Sequence, residues 1–247
     1  MTDIILGMGE VGSTIFELLE ERGIQCIGID KDNSKCKNFT DGKIMENSYF
    51  LHICIPGEIK NFEDITKEWI DKVHGVKAVL IHSTVRPGTT GNIQRDLKIP
   101  ILYSPVRGVH RRFLEDVKKY SKFFASDIPL NNEIKSELEK RFEKIQWMST
   151  TKTAELAKIL VDTTYYGWLI NYAQITKMIC DEEKIDFDEM WKFSDEIHEN
   201  LGNRPKMYPG IIGGHCVIPN LSLIDNEKLD MIKKINELFA KYSNSQD

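Results

Sequence analysis

The 247-residue sequence has no apolar run of membrane-spanning length, no CxxC pair, no internal repeat and no block of like charge. Each absence removes a class of protein. A spanning helix needs about 20 consecutive apolar residues, so no membrane segment is expected. Lysines and arginines are scattered among acids and the formal net charge is -5, so the basic stripe of a nucleic-acid binder is missing. The five cysteines, Cys26, Cys36, Cys54, Cys180 and Cys216, are odd in number and widely spaced, which argues against a disulfide framework or a zinc ribbon. His82, His110, His198 and His215 show no metal-ligand spacing, so no metal is expected. The chain passes from Met1 straight into strand-like sequence without the features of a secretory signal, and a cytoplasmic protein is the expectation.

What is present suits a soluble globular chain of two unequal domains, with 41% hydrophobic and 29% charged residues. Short apolar runs alternate with amphipathic stretches in the first half. Strands are expected at Asp3 to Leu6, Ile24 to Ile29, Phe50 to Ile55, Ala78 to His82, Ile101 to Tyr103 and Lys122 to Ala125. Helices are expected at Thr14 to Arg22, closed by Gly23, and at Ile65 to Val73. The fold class is therefore α/β, a doubly wound parallel sheet of the Rossmann kind. After Asn131 strand signals stop: Glu133 to Ile145 reads as a helix, and Thr151 to Glu183 reads as one long central helix. Its Leu160, Val161, Tyr165, Trp168 and Tyr172 make it apolar around much of its circumference, so it needs burial on several sides. A second copy across a two-fold axis would supply one of them. The expected domains are 1–148, binding the cofactor, and 149–247, a helical dimerisation domain. The second contains a Pro/Gly-rich loop from Asn203 to Pro219, a last helix from Asn226 to Lys241 and a polar tail from Ser243 to Asp247.

The sharpest motif is Gly7-Met8-Gly9-Glu10-Val11-Gly12, between the first strand and the first helix. Its glycines suit a tight turn, a close approach of backbone to pyrophosphate and close packing of the helix. The helix N-terminus would offer free N–H groups to the phosphates. Asp30 stands at the end of the second strand, where an acid accepts from ribose hydroxyls and repels a 2′-phosphate, so NAD is expected over NADP. A glycine-rich turn that binds nothing would leave strand, helix and acid unexplained together.

Three later segments resemble the UDP-glucose, UDP-N-acetylmannosamine and GDP-mannose 6-dehydrogenase family: Ser83-Thr84-Val85-Arg86-Pro87-Gly88-Thr89-Thr90, Ala154-Glu155-Leu156-Ala157-Lys158, and Pro209-Gly210-Ile211-Ile212-Gly213-Gly214-His215-Cys216. The resemblance implies oxidation of a sugar C6 alcohol to a carboxylate in two NAD-dependent steps. It gives Cys216 the role of nucleophile through a thiohemiacetal and Lys158 that of donor to the oxyanion. Thr84 would hold the catalytic water or the nicotinamide end, with Ser83 beside it, and Lys35 would join Asp30 at the adenosine ribose. Read without it, Lys158 with Glu155 or Asp162 is an ordinary helix pair, and Cys216 is a small hydrophobe.

The sequence also departs from that pattern. Ser104-Pro105-Val106 lacks the family's glutamate, and Ala173-Gln174 replaces its Asn-Glu pair. For the family's third, nucleotide-binding domain no counterpart is expected in these residues. Asp162 and Asn220 exchange the family's amide and acid, so a lysine, cysteine and carboxylate cluster is expected in rearranged form. Three readings follow. The first is an NAD-dependent dehydrogenase oxidising an alcohol or aldehyde, on a small-molecule substrate that includes nucleotide sugars. The second is an NAD-binding homologue without redox turnover, serving regulation or assembly. The third is a 3-hydroxyacid-type dehydrogenase using the helix lysine without the cysteine.

Overall fold

The computed structural model describes residues 2–39, 48–108, 112–201, 207–214, 216–224 and 227–245. His110, His215, Asn203, Asn226 and the last two residues of the polar tail lie outside them. The chain divides into two compact units, Met1–Lys158 and Ile159–Asp247.

The first unit runs β1 (Thr2–Leu6), α1 (Glu10–Glu21), β2 (Gln25–Ile29), β3 (Ser48–Ile53), α2 (Phe62–Lys72), β4 (Ala78–Ile81), α3 (Thr89–Gln94), β5 (Ile101–Tyr103), α4 (Phe113–Lys119), β6 (Lys122–Ser126), α5 (Asn132–Arg141), β7 (Ile145–Met148) and α6 (Thr151–Ala157). The strands form one seven-stranded sheet in the order β2-β1-β3-β4-β5-β6-β7. Consecutive apolar residues go to opposite faces of a strand, so Ile5, Phe50 and Leu80 join one buried cluster while Ile4, Leu51 and Val79 join the other. That double burial is why the inner strands read as continuous apolar runs. The chain reverses direction across the sheet at β1, whose neighbours are β2 and β3. Leu6 is in register with both Ile29 and Ile53, and Ile53 with Ile81, so Gly7, Asp30, Cys54 and His82 stand along one edge.

In the second unit α7 (Tyr165–Glu182) is followed by α8 (Phe187–Leu201), α9 (Val217–Ile224) and α10 (Asp230–Asn244). Ile212, Val217, Leu221 and Ile232 form its apolar cluster. Gly167 lets α7 approach closely, since a Cβ there would lie 2.8 Å from a Val217 methyl and 3.2 Å from an Ile232 methyl.

The α/β class with a following helical part is as expected, with four corrections. First, α1 begins at Glu10, directly after the glycine turn. Second, strand signals do not stop at Asn131: α5 ends at Arg141 and β7 follows. The apolar Phe142 and Ile145, which look like a continuing helical stripe, instead turn into the core beside β6. Third, the sheet is mixed, because β6 pairs antiparallel with β5 and β7 runs parallel to β6. Fourth, the long helix is α-helical, then π-helical over Lys158–Thr164, then α-helical again. The helices α3, α4, α8 and α9 are not among those expected from the sequence, and α9 begins at Val217, inside the expected Pro/Gly-rich loop.

Candidate functional site

The glycine turn is sterically fixed. Gly7 has φ +91°, and a Cβ on Gly12 would lie 1.8 Å from the Gly7 carbonyl oxygen; both positions exclude any larger residue. Nothing lies within 4 Å of a Cβ on Gly9, which leaves open space on the side where a phosphate would approach the first turn of α1. Exposed Glu10 and half-buried Val11 begin that helix. Asp30 reaches across from β2: its Oδ2 accepts from the Met8 N–H at 2.7 Å and its Oδ1 from the Asp32 N–H at 3.0 Å. A carboxylate has about four lone-pair sites, so Asp30 locks the glycine turn and retains acceptor capacity for a ribose. Lys35 lies in a short 3-10 turn (Asn33–Lys35), 4.0 Å from Asp32. Cys36, which no sequence pattern ties to the acid, braces it: its Sγ accepts from the Asp30 N–H at 3.3 Å.

The turns after β3 and β4 are fastened together. The Ser83 hydroxyl donates to Ile55 O at 2.5 Å, and Gly57 packs so closely that a Cβ would sit 1.9 Å from Thr84 O. Glu155 of α6 then ties down the next turn. Its fully buried carboxylate accepts from the Gly88 N–H, from the Thr90 N–H at 2.9 Å and from the Thr90 hydroxyl at 2.6 Å. Burial raises its pKa above the usual carboxylate value while these donors pull it down. The two motifs that carry Thr84 and Lys158 are thus held together through Glu155, which the sequence offered only as a surface partner for Lys158. Val106, where the family pattern has glutamate, is buried in an apolar cluster.

In the second unit, half-buried Asp162 lies in the π-helical segment that Lys158 opens, and such segments often occur at functional sites. Asn220 of α9 donates to the Thr163 hydroxyl at 3.5 Å, next to Asp162. Cys216 is exposed and caps α9, its carbonyl accepting from the Asn220 N–H at 3.3 Å. Burial pushes the thiols of Cys26 and Cys54 up, the second to about 12, so those two stay protonated. Gln174, at the altered Asn-Glu position, is fully buried and donates to Gly210 O at 2.7 Å and to Asn236 Oδ1 at 3.2 Å. Asn236 in turn bonds both the N–H and the C=O of Ile212. These two amides hold the backbone of the cysteine loop, and no local pattern could have revealed Asn236.

Residues 4–52 match the TrkA-N domain model. UDP-N-acetyl-D-mannosamine dehydrogenase of Methanococcus vannielii is 24% identical over 253 residues, 86% of this chain and 58% of that protein. The chain is similar to the UDP-N-acetyl-D-mannosamine dehydrogenases over their N-terminal and central parts. It spans less than two thirds of their length. Among solved structures, the UDP-D-ManNAc dehydrogenase of Pyrococcus horikoshii superposes with TM-score 0.82 at 18% identity, covering 99% of this chain and 70% of that one. The 3-hydroxyisobutyrate dehydrogenase of Mycobacterium tuberculosis gives 0.64 at 12% identity, covering 98% and 94%. These likenesses establish the fold. With Gly7, Gly12 and Asp30 in place and open space at Gly9, the first unit is an NAD-binding Rossmann unit. Among the described residues no helix is long and apolar enough to cross a membrane, and no cluster of His, Cys, Asp or Glu could hold a metal.

Proposed function

We propose that the chain works as an NAD-dependent dehydrogenase on an alcohol or aldehyde, with nucleotide sugars the first substrates to try. The observation that carries this reading is an NAD cradle closed by Asp30 in the same chain as an exposed Cys216 at the start of α9. Gly9, Glu10 and Val11 offer the pyrophosphate the N-terminus of α1, Asp30 with Lys35 takes the adenosine ribose, and Ser83 with Thr84 borders the nicotinamide end. When bound, NAD supplies the hydride acceptor.

The Cys216 thiolate would add to an aldehyde carbon, forming a C–S bond and moving the carbonyl π pair onto oxygen; Lys158 would donate to that oxyanion. Once the carbon is oxidised to a thioester, water attack releases the acid and returns the thiol. Asp162 and Asn220 would adjust the charge and hydrogen bonding around this chemistry.

The test is NADH formation from a panel of alcohols, aldehydes and nucleotide sugars, together with calorimetric titration of NAD and NADP. Cys216→Ser is expected to abolish acid formation while aldehyde formation can persist. Tighter binding of NADP overturns the role of Asp30.

Two observations favour other readings. The match to nearly the whole of a 3-hydroxyisobutyrate dehydrogenase favours a 3-hydroxyacid-type activity, in which Cys216→Ser changes little. The buried Val106 in place of glutamate favours NAD binding without turnover, for which no substrate yields NADH. We further propose a homodimer through the aromatic face of α7 and the π-helical turn before it, since Tyr165, Trp168 and Tyr172 of α7 and Val161 of that turn are all exposed.

A further inference from the structure

A line of buried ionisable side chains lies inside the first unit, and the chemistry above does not use it. Arg141 of α5 forks onto Asp3 of β1, with Nε to Oδ2 at 2.6 Å and Nη2 to Oδ1 at 2.9 Å. Asp3 Oδ2 is 3.2 Å from His52 Nε2, His52 Nδ1 is 2.9 Å from His82 Nε2, and His82 Nδ1 is 2.7 Å from Ser104 O. Lys122 Nζ closes the line, 2.7 Å from Ser104 O, 2.9 Å from Pro105 O and 3.2 Å from His82 Nδ1. Asp3, His52, His82, Lys122 and Arg141 are all buried.

Hydrogen bonds here can be counted, because each link along the path Asp3–His52–His82–Lys122 needs one hydrogen and the groups at its two ends, the Asp3 carboxylate and the Ser104 and Pro105 carbonyls, are fixed acceptors. Asp3, paired with Arg141, is a carboxylate, so His52 Nε2 must carry a hydrogen. His52 Nδ1 then accepts from His82 Nε2–H if His52 is neutral. With Lys122 as ammonium, its three N–H groups go to Ser104 O, Pro105 O and His82 Nδ1, both rings are neutral, and Ser104 O takes its hydrogen from Lys122 while its 2.7 Å contact with His82 Nδ1 carries none. Moving that proton to His82 Nδ1 leaves Lys122 an amine that accepts from the ring and still donates to both carbonyls. A second positive charge would set an N–H of Lys122 against an N–H of His82. No charge at all would set two lone pairs against each other.

We propose that Lys122, His82 and His52 together carry one positive charge, shared across the Lys122–His82 contact, and that Lys122 is a positioning residue for the cofactor site. Its two carbonyl bonds fix the turn after β5, and through His82 it reaches the turn that carries Ser83 and Thr84. The positioning clause rests on the NAD reading; the charge count does not. Burial holds Lys122, His82 and His52 each below its ordinary pKa, so three bases compete for one proton. The charged or titratable groups that act on the line are Asp3, Arg141, Cys54, Arg107 and Lys158. Arg107 and Lys158 press Lys122 further toward the amine.

The test is nitrogen-15 NMR of the full chain, reading the histidine ring nitrogens and Lys122 Nζ at pH 7. The expected result is one charge: an ammonium with two neutral rings, or an amine with one imidazolium, and a hydrogen on His52 Nε2 in either case. An ammonium together with an imidazolium, or three neutral groups, overturns the proposal. In Lys122→Met the charge is expected to move onto the rings, raising their midpoint by at least one pH unit, and NAD affinity should fall at least threefold. An unmoved ring midpoint overturns the sharing, and unchanged NAD affinity overturns the positioning role. If the substituted chain does not fold, the count on the natural chain decides. Failure of the natural chain to bind NAD refutes the NAD reading and leaves the charge count standing.

Discussion

Single atoms decide the most at Gly12, where one added carbon would lie 1.8 Å from the Gly7 oxygen. The conflict is with backbone, so no side-chain rotation relieves it. Gly12→Ala is expected to push α1 away from the glycine turn and lower NAD affinity at least tenfold, readable by calorimetry beside an unchanged circular dichroism spectrum. The buried bases supply a second expectation at this scale. An unfolded chain takes protons on His52 and His82 as the pH drops below about 6.5, whereas burial lowers both values in the folded chain. The unfolded state therefore binds more protons in that range, and stability is lost as the pH is lowered. The slope is about 1.4 kcal/mol per pH unit for each proton the fold excludes. Above about pH 7 this contribution is constant. Urea titrations between pH 7.5 and 5 check it, and a flat profile would contradict it.

Among elements, the joint between α6 and the turn before α3 depends on Glu155, which accepts three hydrogen bonds in a fully buried position. Glu155→Gln keeps the shape but replaces one acceptor oxygen with a donor group facing donors. The expected cost is about 1 to 3 kcal/mol, seen as a lower urea midpoint at constant slope. The buried face of α7 has an unusual composition for a core helix. Gly167, Asn171, Ala173 and Gln174 point inward while the large aromatics Tyr165, Trp168 and Tyr172 are exposed. Gln174 in that face binds the cysteine loop at Gly210 O, Asn171 donates to Gln174 and to Ile232 O, and glycine gives the helix room to pack.

At the scale of the molecule, the homodimer proposal rests on the exposed Tyr165, Trp168 and Tyr172 of α7, since exposed apolar patches mark interaction sites. Sedimentation equilibrium at micromolar concentration is expected to return twice the chain mass of 28.5 kDa, and Tyr172→Asp with Val161→Asp should return it to one. A single chain mass for the natural protein would end the homodimer proposal.

What the sequence determined by itself is local and periodic: the alternation of apolar runs and amphipathic stretches, the glycine spacing before α1, the acid after β2, and the motifs around Thr84, Lys158 and Cys216. These were legible because each depends on residues adjacent in the chain or on a repeat of two or 3.6 residues. Tertiary structure alone decided the rest. It placed β7 at the sheet edge, because Phe142 and Ile145 fit the core only if the helix stops at Arg141. It set β6 antiparallel to β5, a pairing that follows from where neighbouring strands lie and leaves no local mark. It also assembled the buried polar groups. Asp3, His52, His82, Lys122 and Arg141 are spread over more than half the chain, and no local spacing pairs one with another. The low dielectric of the interior forces such groups to find partners, and those partners are named only by the fold.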